Sequence, residues 1–253
     1  MNTMCPPGRN TFLSLLVLLA SLLTACCKKK NDSPPPVSQD YLSEVTASND
    51  HFRWTPRRGA TSVVVPIEID DVNVPPEWNS SMLALVEQAR DAWKPAIRDA
   101  RAFDTSTRRL GNQPSFAADY TKLSIVFTSR LGGSRVGQVE YRRSSATVVS
   151  GMTMTIAMRS PLDGRLLTNA ELLSVLLHEF GHAYGLFNFG SGDSHSSSPA
   201  DVMYHASTVT NLSTRDNATI RKLYGLTPTA VRADSLAAAG SLMLDTPTVA
   251  ATH

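Results

Sequence analysis

The sequence predicts an α+β domain, and three features of its hydrophobic pattern lead to that class. Apolar and polar residues alternate over residues 63–69 and in later short runs, which indicates strands with one buried face. Apolar residues recur every three or four positions over residues 82–100, which indicates a long helix after the first strand. A second, strongly apolar helix begins near Thr168 and carries two histidines at its end.

The first 25 residues have the pattern of an export signal rather than of a folded element. Arg9 precedes an apolar run over residues 12–25, which is short for a membrane span and typical of a secretory signal peptide. The run ends in Leu-Thr-Ala-Cys26, which resembles the lipobox of bacterial lipoproteins. That resemblance implies a lipidated Cys26 anchored in the bacterial cell envelope, at the outer membrane, facing the periplasm or the surface. The alternative is an ordinary signal peptide cleaved nearby, with a secreted product.

Composition divides the rest of the chain into three parts. Residues 26–50 include three lysines and three consecutive prolines, and we expect them to form a flexible tether. Residues 51–226 are long enough for one well-buried domain. Residues 227–253 are rich in Ala, Thr and Ser, and we expect a mostly disordered tail with a short helix near residues 230–239.

Charge and cysteine content narrow the choice of partners and stabilising groups. The formal net charge is +2, so no strongly charged partner such as a nucleic acid is indicated. We separately expect the protein to be a monomer. The cysteines are Cys5, Cys26 and Cys27, so no disulfide can form within the chain after residue 27. The folded part must therefore depend on its core and on any metal that it binds.

Within the domain, the elements follow in a definite order. The strand at residues 63–69 is followed by the helix at residues 82–100, in which Pro95 is expected to cause a kink. The methionines of the last strand are expected to fill the core. Three more strands follow the helix, the second of them the weakest, at residues 123–127, 136–142 and 152–158.

The second helix has the pattern of a metal site. Thr168 and Glu171 form a capping box at its start, and His178 and His182 are four residues apart, so both imidazoles project from one face. Two imidazoles placed in this way can bind one metal ion. Glu179 follows the first ligand directly and can act as a general base on a water molecule at that metal.

A buried helix that merely contains two histidines would give the same bare pattern. Three later residues favour the metal site over this alternative. Gly185 can adopt a positive φ and end the helix, and His195 and Met203 follow at a short distance. His205, two residues after Met203, is interpreted as a surface histidine, and the alternative is a group that assists a developing oxyanion.

Three segments carry a family resemblance: HEFGHAYGL from His178, SHSSSPADVMY from Ser194 and LSTRDNATIRKLYGL from Leu212. They resemble the metzincin zinc peptidases, and within them the matrixin-type domain. The resemblance implies a zincin fold, with a twisted mixed sheet, a long helix, a zinc-binding helix and a small C-terminal subdomain. It further implies a Zn²⁺ cofactor and a turn that places Met203 beneath the imidazoles. Structural Ca²⁺ is not indicated by the sequence.

The chain departs from the family pattern at the third zinc ligand. The family position after Gly185 is occupied here by Asn188, and a neutral amide is a poor zinc ligand. Counting backward from Met203 places His195 in register instead, so residues 186–194 are interpreted as an enlarged loop. Its extra closure entropy is about 1 kcal/mol, whereas a structural zinc site contributes roughly 10 kcal/mol. Asp193 is the lesser alternative to His195 as the ligand.

Two functions from different classes fit this pattern. The first is a zinc endopeptidase that cleaves extracytoplasmic proteins or peptides, with a zinc-activated water and Glu179 as the general base. The resemblance implies that an extended substrate pairs with the edge strand, here residues 136–142. The second is a catalytically silent lipoprotein that keeps the fold as a binding module. Retention of Glu179 favours the peptidase.

Overall fold

The computed structural model describes residues 40–46, 51–57, 59–117, 120–145, 148–189, 193–226, 231–232 and 249–252. The contacts divide the chain into two units, Met1–Val37 and Ser38–His253, and every described residue belongs to the second unit. The predicted signal peptide and the predicted lipidation site Cys26 lie outside the described residues. Among the residues that are described, no helix combines the length and apolar character needed to cross a membrane.

The folded domain begins earlier than the sequence predicts. A short helix, α1 (Leu42–Val45), lies in the stretch that we expected to be a tether, and Tyr41 beside it is fully buried. The backbone N–H of Tyr41 donates to the side-chain oxygen of Thr219 at 3.0 Å, and its hydroxyl donates to Asp216. The predicted tether is therefore wrong for residues 40–46, because their apolar side chains are buried and Tyr41 is bonded to Asp216 and Thr219, close to the C-terminal end of the domain.

The first predicted strand lies inside the sheet and has a neighbour that the sequence did not indicate. Strand β1 (Val63–Ile69) is parallel to β2 (Phe103–Arg109) along its full length. Of the seven side chains in β2, only that of Phe103 is buried. Strand β2 forms one margin of the sheet, so it lacks the alternation on which the prediction of strands depends.

The helix predicted over residues 82–100 is two helices. They are α2 (Ser81–Ala92) and α3 (Lys94–Ala100), and Trp93 separates them. Pro95 lies in the first turn of α3, where its missing N–H is tolerated, whereas inside a continuous helix its ring would clash with the preceding turn. The expected kink at Pro95 is thus a break. The buried Trp93 lies at this break. Its indole Nε1 donates to the carbonyl of Leu177, in the later helix that carries the two histidines, at 3.1 Å.

The remaining strands complete a mixed sheet. They are β3 (Leu123–Thr128), β4 (Gly137–Ser145) and β5 (Val148–Ala157). Strand β3 is parallel to β1 and β5, whereas β4 is antiparallel to β5. The methionines at 152, 154 and 158 are buried, so they belong to the core as predicted.

Two short strands occur in the tail for which the sequence predicts disorder. They are β6 (Val231–Arg232), which is parallel to β5, and β7 (Val249–Thr252), which is antiparallel to β4. The main strand order is β2-β1-β3-β5-β4-β7. The short helix expected near residues 230–239 is wrong for residues 231–232, which form β6, and the rest of that segment lies outside the described residues.

The last two helices of the domain are both capped at their start. Helix α4 (Asn169–Ala183) has Thr168 as its N-cap, and α5 (Thr214–Gly225) has Ser213 as its N-cap. Each start is a capping box, in which the cap side chain and the carboxylate three residues later satisfy each other's backbone N–H groups. Helix α4 is buried from Leu172 to its end, so its histidines lie within the core.

Candidate metal centre

The two histidines of α4 are held in one defined tautomer. His178 Nδ1 lies 2.8 Å from the carbonyl oxygen of Val202, and His182 Nδ1 lies 2.7 Å from that of Leu186. A carbonyl oxygen can only accept, so Nδ1 carries the hydrogen in both rings and Nε2 keeps its lone pair. Both rings are fully buried. Each imidazole therefore directs Nε2 into the site.

The two Nε2 atoms converge. They are 2.9 Å apart. Two lone pairs at this distance repel each other unless a proton or a metal ion lies with them. Neutral imidazole is a preferred ligand of zinc, so the donor set of His178 and His182 fits that metal.

His195 completes the cluster. One ligand atom from each of His178, His182 and His195 lies within 4.8 Å of the others. The Nδ1 of His195 is 2.5 Å from the Oδ1 of Asp193, which accepts its hydrogen and leaves Nε2 as the atom available to a metal. The structure thus places Asp193 as the hydrogen-bond partner of His195, with its own side chain mostly exposed. His205 is exposed, with its ring centre 6.3 Å from that of His195.

Ring stacking and hydrogen bonds hold both ends of the loop that brings His195 to the cluster. Phe187 is buried and stacks on the ring of Tyr141, with 4.7 Å between the ring centres. The backbone N–H of Asn188 donates to the hydroxyl of Ser194 at 2.9 Å, which draws the two ends of the loop together. On the far side of His195, Ser196 donates its N–H to the carbonyl of Met203 at 2.8 Å. The predicted loop therefore returns to the helix, although residues 190–192 within it are not described.

A glycine allows the chain to turn back after α4. Gly185 has φ +117°, a value that other residues rarely adopt. A Cβ at this position would also collide with the backbone oxygen of Phe52. The carbonyl of the following Leu186 is the group that accepts from His182, so the turn positions a partner of the metal site.

Met203 packs against the metal-site helix at Gly181. The side chain is fully buried, and its sulfur lies so close to Gly181 that a Cβ there would collide with it. Gly181 is between the two histidines of α4, so the methionine supports this turn of the helix from below.

Glu179 is the most unusual polar side chain of the site. It is fully buried, and neither carboxylate oxygen has a hydrogen-bond partner among the described residues. Burial raises the pKa of Glu179 well above its usual range. An orphaned carboxylate is costly unless it serves a ligand or a reaction. Glu179 directly follows His178, one of the three clustered histidines.

One contact of Glu179 was missed by sequence reasoning. Gly137, the first residue of β4, lies so close that a Cβ there would be 2.5 Å from Oε1 and 2.8 Å from Cγ of Glu179. No sequence pattern indicates this contact, because Gly137 lies at the start of the weakest predicted strand. The start of β4 is therefore directly beside the carboxylate.

A second missed residue is Asp216, which organises the turn before Met203. Its carboxylate accepts from the N–H of Val202 at 3.1 Å, from the N–H of Ser213 at 2.6 Å and from the hydroxyl of Tyr41. Val202 in turn offers its carbonyl to His178. The buried Asp216 thus holds the backbone of Val202 in place, and the carbonyl of Val202 orients the imidazole of His178. Its signal in the sequence was the Ser213–Asp216 capping box.

The fold and the histidine cluster together define a metzincin-type domain with a site for a metal ion. The model of the matrixin family of peptidases matches residues 87–225, which is more than half of the chain. The chain therefore belongs to the matrixin family. Family membership and the three histidines support a zinc metallopeptidase. No curated protein matches the chain.

Proposed function

We propose that the protein is a zinc-dependent endopeptidase that hydrolyses peptide bonds of extracytoplasmic proteins. The observation that carries this proposal is the buried carboxylate of Glu179, which has no hydrogen-bond partner among the described residues and follows a metal-ligand histidine. A site that only stored a metal would have no use for a desolvated carboxylate at this place. The lipobox-like end of the leader supports attachment to the cell envelope through Cys26.

Three neutral imidazoles would hold the zinc ion, those of His178, His182 and His195. When bound, zinc supplies the Lewis acidity that acidifies a water molecule and polarises a peptide carbonyl. Because the three ligands carry no charge, the positive charge of the metal would not be neutralised by the protein. The carbonyls of Val202 and Leu186 and the carboxylate of Asp193 keep the imidazoles in the required tautomer.

Glu179 would move the proton of the reaction. A carboxylate with a raised pKa accepts a proton more readily, which suits a general base. It would take a proton from the attacking water and deliver it to the amine that leaves. Gly137 has no side chain and leaves room for the Glu179 carboxylate beside the start of β4. A substrate paired with β4 would therefore lie next to the base.

Glu179→Gln tests the proposal most simply, because it keeps the shape of the side chain and removes the base. We expect wild-type protein with about one zinc per chain to cleave casein, and Glu179→Gln to keep its zinc while cleavage falls by roughly 10²- to 10⁴-fold. Glu87→Gln, at an exposed position of α2 away from the metal centre, is the control and should keep the wild-type rate.

Two outcomes would count against the peptidase. Full activity in Glu179→Gln would show that another group is the base. A wild-type protein that binds zinc and cleaves neither casein nor unstructured peptides would instead support the silent binding module.

A further inference from the structure

The tail of the chain returns to the sheet beside the metal centre. Strand β7 pairs antiparallel with the first half of β4, with Thr252 opposite Gln138 and Val249 opposite Tyr141. Strand β6 pairs with β5, so the tail contacts the sheet at two places. The residues of β7 are Val-Ala-Ala-Thr, and they pair with β4 through the backbone ladder.

Without β7, strand β4 would be the margin of the sheet. The backbone groups on the outer side of a marginal strand are unpaired, and they bind extended peptides by strand addition. Among the strands that the structure describes, β4 is also the one whose first residue touches Glu179. It is therefore the edge on which a peptide would be presented to the metal centre.

The direction of β7 leads toward the reactive groups. Because the pairing is antiparallel, the chain runs from Tyr141 toward Gln138, the neighbour of Gly137. Gly137 is in contact with the carboxylate of Glu179. A peptide that lies along this track therefore has its C-terminal end pointing at the base, and β7 occupies the residues of β4 nearest to that point.

We propose that β7 is an intramolecular inhibitor that occupies the substrate edge of β4. The inference rests on the proposed peptidase function. A segment of the same chain competes at an effective concentration on the order of mM, so even a short pairing hinders a protein substrate. The described domain contains no cysteine that could restrain the metal, and the tail provides a restraint of a different kind.

The test removes the pairing and leaves the rest of the tail intact. In an antiparallel ladder, neighbouring residues alternate in pointing their N–H at the partner strand, so Ala250→Pro with Ala251→Pro removes at least one hydrogen bond to β4. Ala237→Pro with Ala238→Pro is the matched control, with the same two substitutions elsewhere in the tail. All variants are made in the full chain.

Two readouts separate the inference from the peptidase function. The first is kcat/KM for casein, which we expect to rise about tenfold in the β7 variant if β7 covers the edge for some nine-tenths of the time. The second is hydrogen exchange at the amides of residues 138–141 in the Glu179→Gln background, which should become faster in the β7 variant. The control should match the parent protein in both.

Each outcome decides one question. Faster exchange together with a higher kcat/KM supports the inference. Unchanged exchange overturns it, whatever the activity. Faster exchange with an unchanged kcat/KM in active protein also overturns it, because β7 would then cover the edge without inhibiting. Faster exchange with no cleavage by any form would support β7 as the occupant of the edge and reject the proposed peptidase function.

Discussion

At the scale of single residues, backbone carbonyls decide which nitrogen each histidine of α4 presents to the metal. The carbonyls belong to Val202 and Leu186, which lie beyond the helix that carries the histidines. Their positions depend on the turn at Gly185 and on the carboxylate of Asp216. Ligand geometry is thus set by the segments after α4, in the way that surrounding hydrogen bonds usually orient metal-binding histidines.

The contact between Gly137 and Glu179 predicts the effect of adding one methyl group at residue 137. Gly137→Ala should push the Glu179 side chain aside, because the added Cβ would be 2.5 Å from Oε1. We expect kcat/KM for casein to fall at least about tenfold with zinc content unchanged, and overpacking to cost about 1–3 kcal/mol of stability. Gly151→Ala on β5 is the matched control, since a Cβ there meets nothing within 4 Å. Equal activity in the two variants would refute the contact.

Some residues of the site could be predicted from the sequence, and others could not. His178, Glu179 and His182 could be predicted because a helix converts a spacing of four residues into neighbouring side chains. Gly137 could not be predicted, because its contact with Glu179 depends on how β4 packs against α4. The orientation of His195 likewise depends on hydrogen bonds within the loop, which the spacing of residues does not encode.

At the scale of elements, local chemistry determines where the metal-binding helix starts. Thr168 and Glu171 satisfy each other's backbone N–H groups, and Arg165 pairs with the same carboxylate. Arg165, and then the backbone and hydroxyl of Thr168, lower the pKa of Glu171 from 4.5 to about 2. The strength of this cap explains why the start of α4 was predictable. The margin strand β2 and the break at Trp93 lacked such a local signal.

The cap predicts a dependence of stability on pH. The pKa of Glu171 is lower in the folded state, so its contribution is present above about pH 4.5 and is lost as the pH falls toward 2. Glu171→Gln should therefore lower the free energy of unfolding more at pH 7 than at pH 3, as measured by urea titration. Glu87→Gln, at an exposed position of α2, is the control for changing a surface charge. A loss in Glu171→Gln that is the same at both pH values would contradict the assignment.

At the scale of the whole domain, Asp216 connects the start of α5 to two other segments. It accepts hydrogen bonds from Tyr41 near the start of the domain, from Val202 beside the metal centre and from Ser213 at the start of α5. Tyr41 and Asp216 are both buried. The sequence predicted a boundary at His51, because the few apolar residues before it show no periodicity. Only the folded domain reveals that Tyr41 has a buried partner.

Metal binding should be linked to the stability of the whole domain. If zinc binds only the folded state, a free concentration a thousandfold above Kd adds about 4 kcal/mol to the free energy of unfolding. A chelator should therefore lower Tm in thermal unfolding, and added zinc should restore it. His205→Ala, outside the histidine cluster, should respond like the wild type, whereas His195→Ala should show little response. Equal responses in these two variants would exclude His195 from the site.

X-ray absorption at the zinc edge of the full chain tests the metal centre most directly, together with the zinc content of His195→Ala and Asp193→Ala. We predict about one zinc per chain with three imidazole nitrogens, a loss of zinc in His195→Ala and retention in Asp193→Ala. Zinc bound by only two imidazoles, or lost from Asp193→Ala but kept by His195→Ala, would contradict the three-histidine site.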